Sequence, residues 1–186
     1  MRTRPSLFYL FAFSLFCLLS SCTPDSSIDR STRCEFTFSY QDYPTSQLFV
    51  AAQNPGCYVF VSTRGDGKQV PRRVTVQSNV EGAVPEENII SNALLNNLAY
   101  FLGTNNDIGL IIGMTNFNGL RAYDRCCPSC DVQRALQWTG NRQKVRCNEC
   151  QRVYDLETAA IVEGAEGSPL RRFNCVFNGV TLRAWN

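Results

Sequence analysis

Two short turns carry the residues best suited to chemistry. Cys127-Pro-Ser-Cys130 is followed, sixteen residues further on, by Cys147-Asn-Glu-Cys150. A Cys-x-x-Cys turn can aim both sulfurs at one point, and an insert of this length can fold back to bring two such turns together. That is the spacing of a four-thiolate metal site. Tetrahedral Zn2+ is the first expectation, because it accepts four sulfurs and demands no other ligand. A single iron, or a 2Fe-2S cluster held by the same thiolates, is the chemical alternative. Disulfide formation, or thiol exchange by either pair, is the competing use of the same cysteines; exchange would need a thiolate of lowered pKa.

Catalysis has little to build on. The chain contains no histidine, so the commonest general base is missing. Four thiolates also leave zinc without the open position that a catalytic site keeps for water. Asp124 and Glu149 lie near the cysteine turns and read as surface carboxylates. The expectation is a non-catalytic site.

Both turns hang from short strands. Ile108-Gly-Leu-Ile-Ile-Gly-Met114 and Leu120-Arg-Ala-Tyr-Asp124 flank Asn116-Phe-Asn-Gly119, where Asn-Gly predicts a tight type I′ hairpin that delivers the chain to Cys127. A second hairpin, Leu136-Gln-Trp138 and Lys144-Val-Arg146 around Thr139-Gly-Asn141, delivers Cys147. Upstream, Cys34-Glu-Phe-Thr-Phe-Ser-Tyr40 alternates as a half-buried strand should. Cys57 to Ser62 and Arg73 to Gln77 read as two more strands. Residues 41–54 are mixed, with room for a short helical turn. Helical period is found in one segment, where Ile89, Ile90, Ala93, Leu94, Leu98 and Phe101 fall on one side and Gly103 follows as a stop. Downstream, Arg152-Val-Tyr154 and Leu170 to Val176 read as strands, and Asn178-Gly179 turns the last of them into Val180 to Trp185. Short strands with one helix predict a small antiparallel sandwich or barrel.

The order of these features resembles the Rieske iron-sulfur domain. The resemblance rests on the hairpin running into Cys127-Pro128, on Cys147-x-x-Cys150, and on Tyr154-Asp155-Leu156-Glu157-Thr158. Glu163-Gly164-Ala165 and Ser168-Pro169-Leu170 complete it before a closing hairpin. It covers roughly 108–185. It implies a mainly β, Rieske-like domain over 34–186 with one helix and a two-loop metal-binding subdomain at 126–151. A Rieske centre places two imidazoles on one iron. Here Ser129 stands at the first histidine position with Cys130 one residue beyond, and Cys150 stands at the second, so the implied ligand set is thiolate alone: Cys127, Cys130, Cys147 and Cys150. Electron transfer and oxygenase activity, both linked to that family, do not carry over without the imidazoles.

The N-terminus reads as an export signal over 1–21. Arg2 and Arg4 precede an apolar run from Leu7 to Leu19, and Leu19-Ser-Ser-Cys22 is similar to the lipobox of bacterial lipoproteins. Cys22 would become the lipidated first residue, with 22–33 a flexible tether. The domain would then sit at the bacterial cell envelope, its membrane partner reached through lipid. The formal charge is +2 at pH 7, and loss of Arg2 and Arg4 with the signal leaves acids and bases in balance. Nothing in that balance calls for a nucleic acid, and no protein partner is indicated. Cys34, Cys57, Cys126 and Cys175 remain, an even number that suits two disulfides or four buried thiols.

Overall fold

The structure, a computed structural model, describes residues 27–64, 71–98 and 100–186. The expected signal at 1–21 and the lipid-bearing Cys22 lie outside these residues. Among the described residues no helix is long and apolar enough to cross a membrane.

The described residues form thirteen strands and two helices, mainly β as expected. The strands are β1 (Cys34–Ser39), β2 (Tyr58–Thr63), β3 (Arg72–Ser78), β4 (Glu86–Ile90), β5 (Phe101–Leu102), β6 (Leu110–Met114), β7 (Leu120–Asp124), β8 (Gln137–Trp138), β9 (Lys144–Arg146), β10 (Val153–Asp155), β11 (Ile161–Glu163), β12 (Arg172–Phe177) and β13 (Thr181–Trp185). The helices are α1 (Gln47–Gln53) and α2 (Ala93–Asn97). Nine strands make one sheet in the order β4-β3-β2-β6-β7-β12-β13-β1-β5, and the other four make a second, β11-β10-β9-β8. All of these pairings are antiparallel.

Alternation decides which side chains face inward. Phe36 and Phe38 of β1, Val59 and Val61 of β2, and Val74 and Val76 of β3 share one core with Leu182 and Ala184 of β13. Strands from both ends of the nine-stranded order meet there, so the sheet curls around a common interior. Helix α1 closes it with Leu48, Phe49, Ala51 and Ala52. Ser46 caps that helix by accepting from the Leu48 N–H. Gly109 lets β6 begin close beneath β2: it has φ +84°, and a Cβ there would stand 1.9 Å from the Val61 carbonyl oxygen.

The helix expected over 89–101 does not form. Ile89 and Ile90 belong to β4 and pair with Arg73 and Arg72 of β3, α2 spans five residues, and Phe101 pairs with Glu35 of β1. Leu94 is 80% exposed and Leu98 43%, so of the apolar stripe read from the sequence only Ile90 reaches the core, and it does so from a strand. Pairing on β3 supplies ladder hydrogen bonds to the β-branched Ile89 and Ile90, while a short helix must meet its nucleation cost alone. The longer helix is α1, in the segment credited with a single turn.

The expected tether also differs in its last residues. Ile28 bridges Arg172, and the Asp29 N–H donates to the Arg172 carbonyl at 2.8 Å. The Asn186 amide donates to the carbonyls of Asp29, at 2.9 Å, and Thr32. A flexible tether over 22–33 would be free along its whole length. Backbone hydrogen bonds hold its last residues against the sheet instead.

Candidate metal centre

The second sheet packs on the outer face of the first. Tyr58, Phe60, Ile111 and Tyr123 point outward from β2, β6 and β7 and share a second core with Leu136, Val145, Tyr154, Leu156, Leu170, Cys127 and Cys147. Phe60 is the joint. The Trp138 ring stacks on it at 3.8 Å and 2°, and the Arg125 guanidinium lies 3.8 Å from its centroid. Burial pulls Arg125 down to about 10.

Each cysteine turn is closed by backbone bonds. In the first, the Cys127 N–H donates to Arg134 O at 2.8 Å and the Leu136 N–H to Arg125 O at 2.9 Å. In the second, the Cys147 N–H donates to Arg152 O at 3.0 Å and the Gln151 N–H to Cys147 O at 2.9 Å. Gln151 reaches this geometry at φ +60°, a left-handed conformation that glycine adopts more readily.

All four sulfurs expected as ligands converge. Those of Cys127, Cys130, Cys147 and Cys150 lie within 4.8 Å of one another, with Cys127 to Cys150 at 3.7 Å and Cys130 to Cys147 at 3.7 Å. A tetrahedron with metal–sulfur bonds of ~2.3 Å has sulfur–sulfur edges of ~3.8 Å. The four cysteines can therefore hold a metal ion. Cys127 and Cys147 are buried, while Cys130 and Cys150 are half-buried, so one side of the cluster is dry and the other reaches water.

The thiols are not equivalent. Burial raises Cys127, and burial together with its sulfur neighbours raises Cys130. At Cys150 desolvation acts in the same direction, but hydrogen bonds from the Arg152 backbone N–H and side chain outweigh it and pull the thiol down to about 6. The buried Tyr154 hydroxyl lies 3.6 Å from the Cys127 sulfur and donates to Ser129 Oγ at 3.1 Å.

Asp124 differs from the expectation of a surface carboxylate. It is fully buried. It accepts from the Thr104 N–H at 3.0 Å, the Thr104 hydroxyl and the Cys126 N–H at 2.9 Å, with Arg171 at 3.5 Å. Desolvation raises its pKa against those bonds. It thus fixes the entry to the first cysteine turn. Glu149 is exposed and pairs with Arg134 at 3.2 Å.

Sequence reasoning also missed the bonds by which Glu157 holds the 116–118 tip. Glu157 accepts from the backbone N–H groups of Asn116, at 2.6 Å, and Phe117, at 3.1 Å, and from the Asn118 amide at 2.6 Å. This ties the small sheet to the β6–β7 hairpin. The hairpin forms where expected, but Met114 pairs with Leu120 across a five-residue loop. Gly119 takes positive φ there and Asn118 does not, so the turn is not the tight type I′ form.

The other cysteines are buried or half-buried free thiols: Cys34, Cys57, Cys126 and Cys175. The disulfides expected as one outcome do not form. Cys34 and Cys175 lie on strands separated by β13, about 9–10 Å apart in strand spacing, beyond the ~7 Å that a bridge tolerates. Cys175 also cannot reach Cys126, because the register that pairs Phe173 with Ala122 places the two far apart along the strands.

Compared with family models, curated proteins and solved structures, the chain matches none of them.

Proposed function

We propose that this protein is a non-catalytic, membrane-tethered metal-binding lipoprotein with a Rieske-like domain over 34–186, in which one Zn2+, held by Cys127, Cys130, Cys147 and Cys150, fixes the small sheet on the larger one. The convergence of the four sulfurs carries this reading. Cross-loop separations of 3.7 Å suit four ligands around a single centre. A 2Fe-2S cluster divides its four thiolates between two irons and so spreads the two pairs apart, which sulfurs lying within 4.8 Å of one another do not favour. The two sulfur pairs at 3.7 Å both run between the loops, which supports a shared centre over an exchangeable dithiol within one turn. Bound zinc would supply a structural cross-link, with every coordination position taken by sulfur. The Cys22 anchor and the export signal complete the reading from sequence alone.

A second reading, electron transfer through a single iron in the same cage, draws support from the half-buried sulfurs of Cys130 and Cys150, which give electrons a short path to the surface. Elemental analysis of protein made in its own compartment separates the two. One equivalent of zinc in a colourless solution is the expected result. A red or brown solution containing iron selects the second reading. Metal-free protein whose loop cysteines resist alkylation until reduced overturns both.

A further inference from the structure

Four thiolates around one divalent ion carry two surplus negative charges, and a half-buried dianion needs a cation nearby. Arg125 is spent on the Phe60 ring and on the carbonyls of Leu136 and Ile108, which leaves three arginines near the turns to provide it. Arg134 is paired with Glu149 at 3.2 Å, and Arg146 with Glu163 at 3.4 Å. Arg152 differs from both, since among the described residues its side chain has no carboxylate partner. Its Nε donates to Ala165 O at 3.0 Å and its terminal nitrogen to Glu166 O at 2.9 Å. Carbonyls hold the guanidinium in place without neutralising it. Arg152 follows Cys150 by two residues at the rim of the second cysteine turn, where the Cys147 N–H donates to the Arg152 carbonyl at 3.0 Å.

The surrounding loop is shaped to this position. A Cβ on Gly167 would stand 2.6 Å from Ser129 Oγ and 3.0 Å from Arg152 Nε, and one on Gly164 would stand 3.1 Å from Arg152 Cα. The backbone of 164–168 therefore lies against the first cysteine turn and the guanidinium together. We propose that Arg152 is the built-in counter-charge of the centre, fixed by this loop beside the cysteine turns, where it offsets the surplus charge of the tetrathiolate. The inference rests on the metal-binding reading above and adds what keeps a charged site stable at a wet edge.

Competition between the intact protein and a chromophoric chelator for Zn2+ tests it. Arg152→Gln is expected to bind 10- to 100-fold more weakly, about the usual effect of removing an outer partner of a ligand. Arg152→Lys keeps the charge but loses the planar fork, and is expected to lose less than about tenfold. Cobalt-substituted Arg152→Gln should keep the visible spectrum of a tetrahedral tetrathiolate, which places the loss in charge rather than in ligand geometry. Wild-type affinity in Arg152→Gln, within about twofold, would overturn the proposal, as would a lysine variant as weak as the glutamine one. If Arg152→Gln fails to fold by near-ultraviolet circular dichroism, the lysine variant decides alone: near-wild-type binding supports the counter-charge, and a loss of tenfold or more refutes it. Wild-type protein that takes up no metal would instead defeat the metal-binding reading itself, a separate result.

Discussion

The two sheets of this chain hold themselves together differently. The nine-stranded sheet curls around an interior of Phe36, Phe38, Phe49, Leu110, Ile112 and Phe173, with α1 as its lid. The four-stranded sheet has strands of two or three residues. Its core borrows Tyr58, Phe60, Ile111 and Tyr123 from its neighbour and is completed by Cys127 and Cys147. Backbone conformation follows the same division. Each left-handed position described in the large sheet and its connections is a glycine, whereas the small sheet places side chains there at Gln151 and Ala159. A unit with so little apolar area of its own needs a cross-link or a partner surface. This one has both.

That contrast breaks most completely at the four cysteines, on the proposed zinc reading. Cys147→Ser, or a strong chelator, is expected to unfold the small sheet and leave the large one folded, because structural zinc supplies ~10–16 kcal/mol of apparent binding energy. Trp138 lies in the small sheet and Trp185 in the large one, so single-tryptophan variants report on each separately. Trp138 emission should shift to the red while Trp185 holds; a joint shift would mean that the two sheets unfold as one unit. Phe60→Ala attacks the other support. It removes the ring between Arg125 and Trp138 and should cost about 3–5 kcal/mol in denaturant melts, loosening the joint without touching a ligand.

These same supports mark where the sequence could be read and where it could not. The four sulfurs were legible because two turns and an insert constrain one another locally. Strand β1 was legible because one face is buried, and its period shows. The segment 89–101 misled because a stripe at helical spacing also fits a strand, a cap and a second strand in succession, and pairing with β3 and β1 decides between them. Asp124 looked like a surface charge because nothing nearby in sequence shows that Thr104 and Arg171 enclose it. Arg152 and Glu157 act on residues from 2 to 41 positions away, mostly across loops whose path no local pattern encodes.

Asp124 and Glu157 sharpen the comparison through opposite responses to pH. Burial raises the Asp124 pKa, so its contribution to stability is fully present below the unfolded carboxyl value and is lost as pH rises through the folded one. For Glu157, desolvation is outweighed by N–H donors from the 116–118 tip, which lower its pKa. Its contribution is present above the unfolded value and is lost as pH falls through the folded one. Asp124→Asn should cost about 1–3 kcal/mol at neutral pH by mismatching buried donors, and should remove the decline in stability with rising pH. Glu157→Gln should cost about 1 kcal/mol and flatten the acid limb. Urea melts across acidic to neutral pH check both signs, and matching slopes in the two variants would contradict the assignment.

The smallest expected effect concerns the backbone contrast itself. Gln151 sits at φ +60° between Cys150 and Arg152, where a side chain costs roughly 1–2 kcal/mol relative to an ordinary conformation. Glycine removes that strain but adds about 0.5–1 kcal/mol of unfolded-state entropy, and the exposed bond from Gln151 Nε2 to Asn148 O is lost. Gln151→Gly should therefore stabilise the protein by about 0.5 kcal/mol, seen as a higher urea midpoint with an unchanged slope. Ala159→Gly, at φ +64° but packed against the second core, should gain less because its methyl contact disappears. If neither variant moves the midpoint upward, the left-handed positions of the small sheet carry no strain, and the proposed need for a cross-link must rest on its thin core alone.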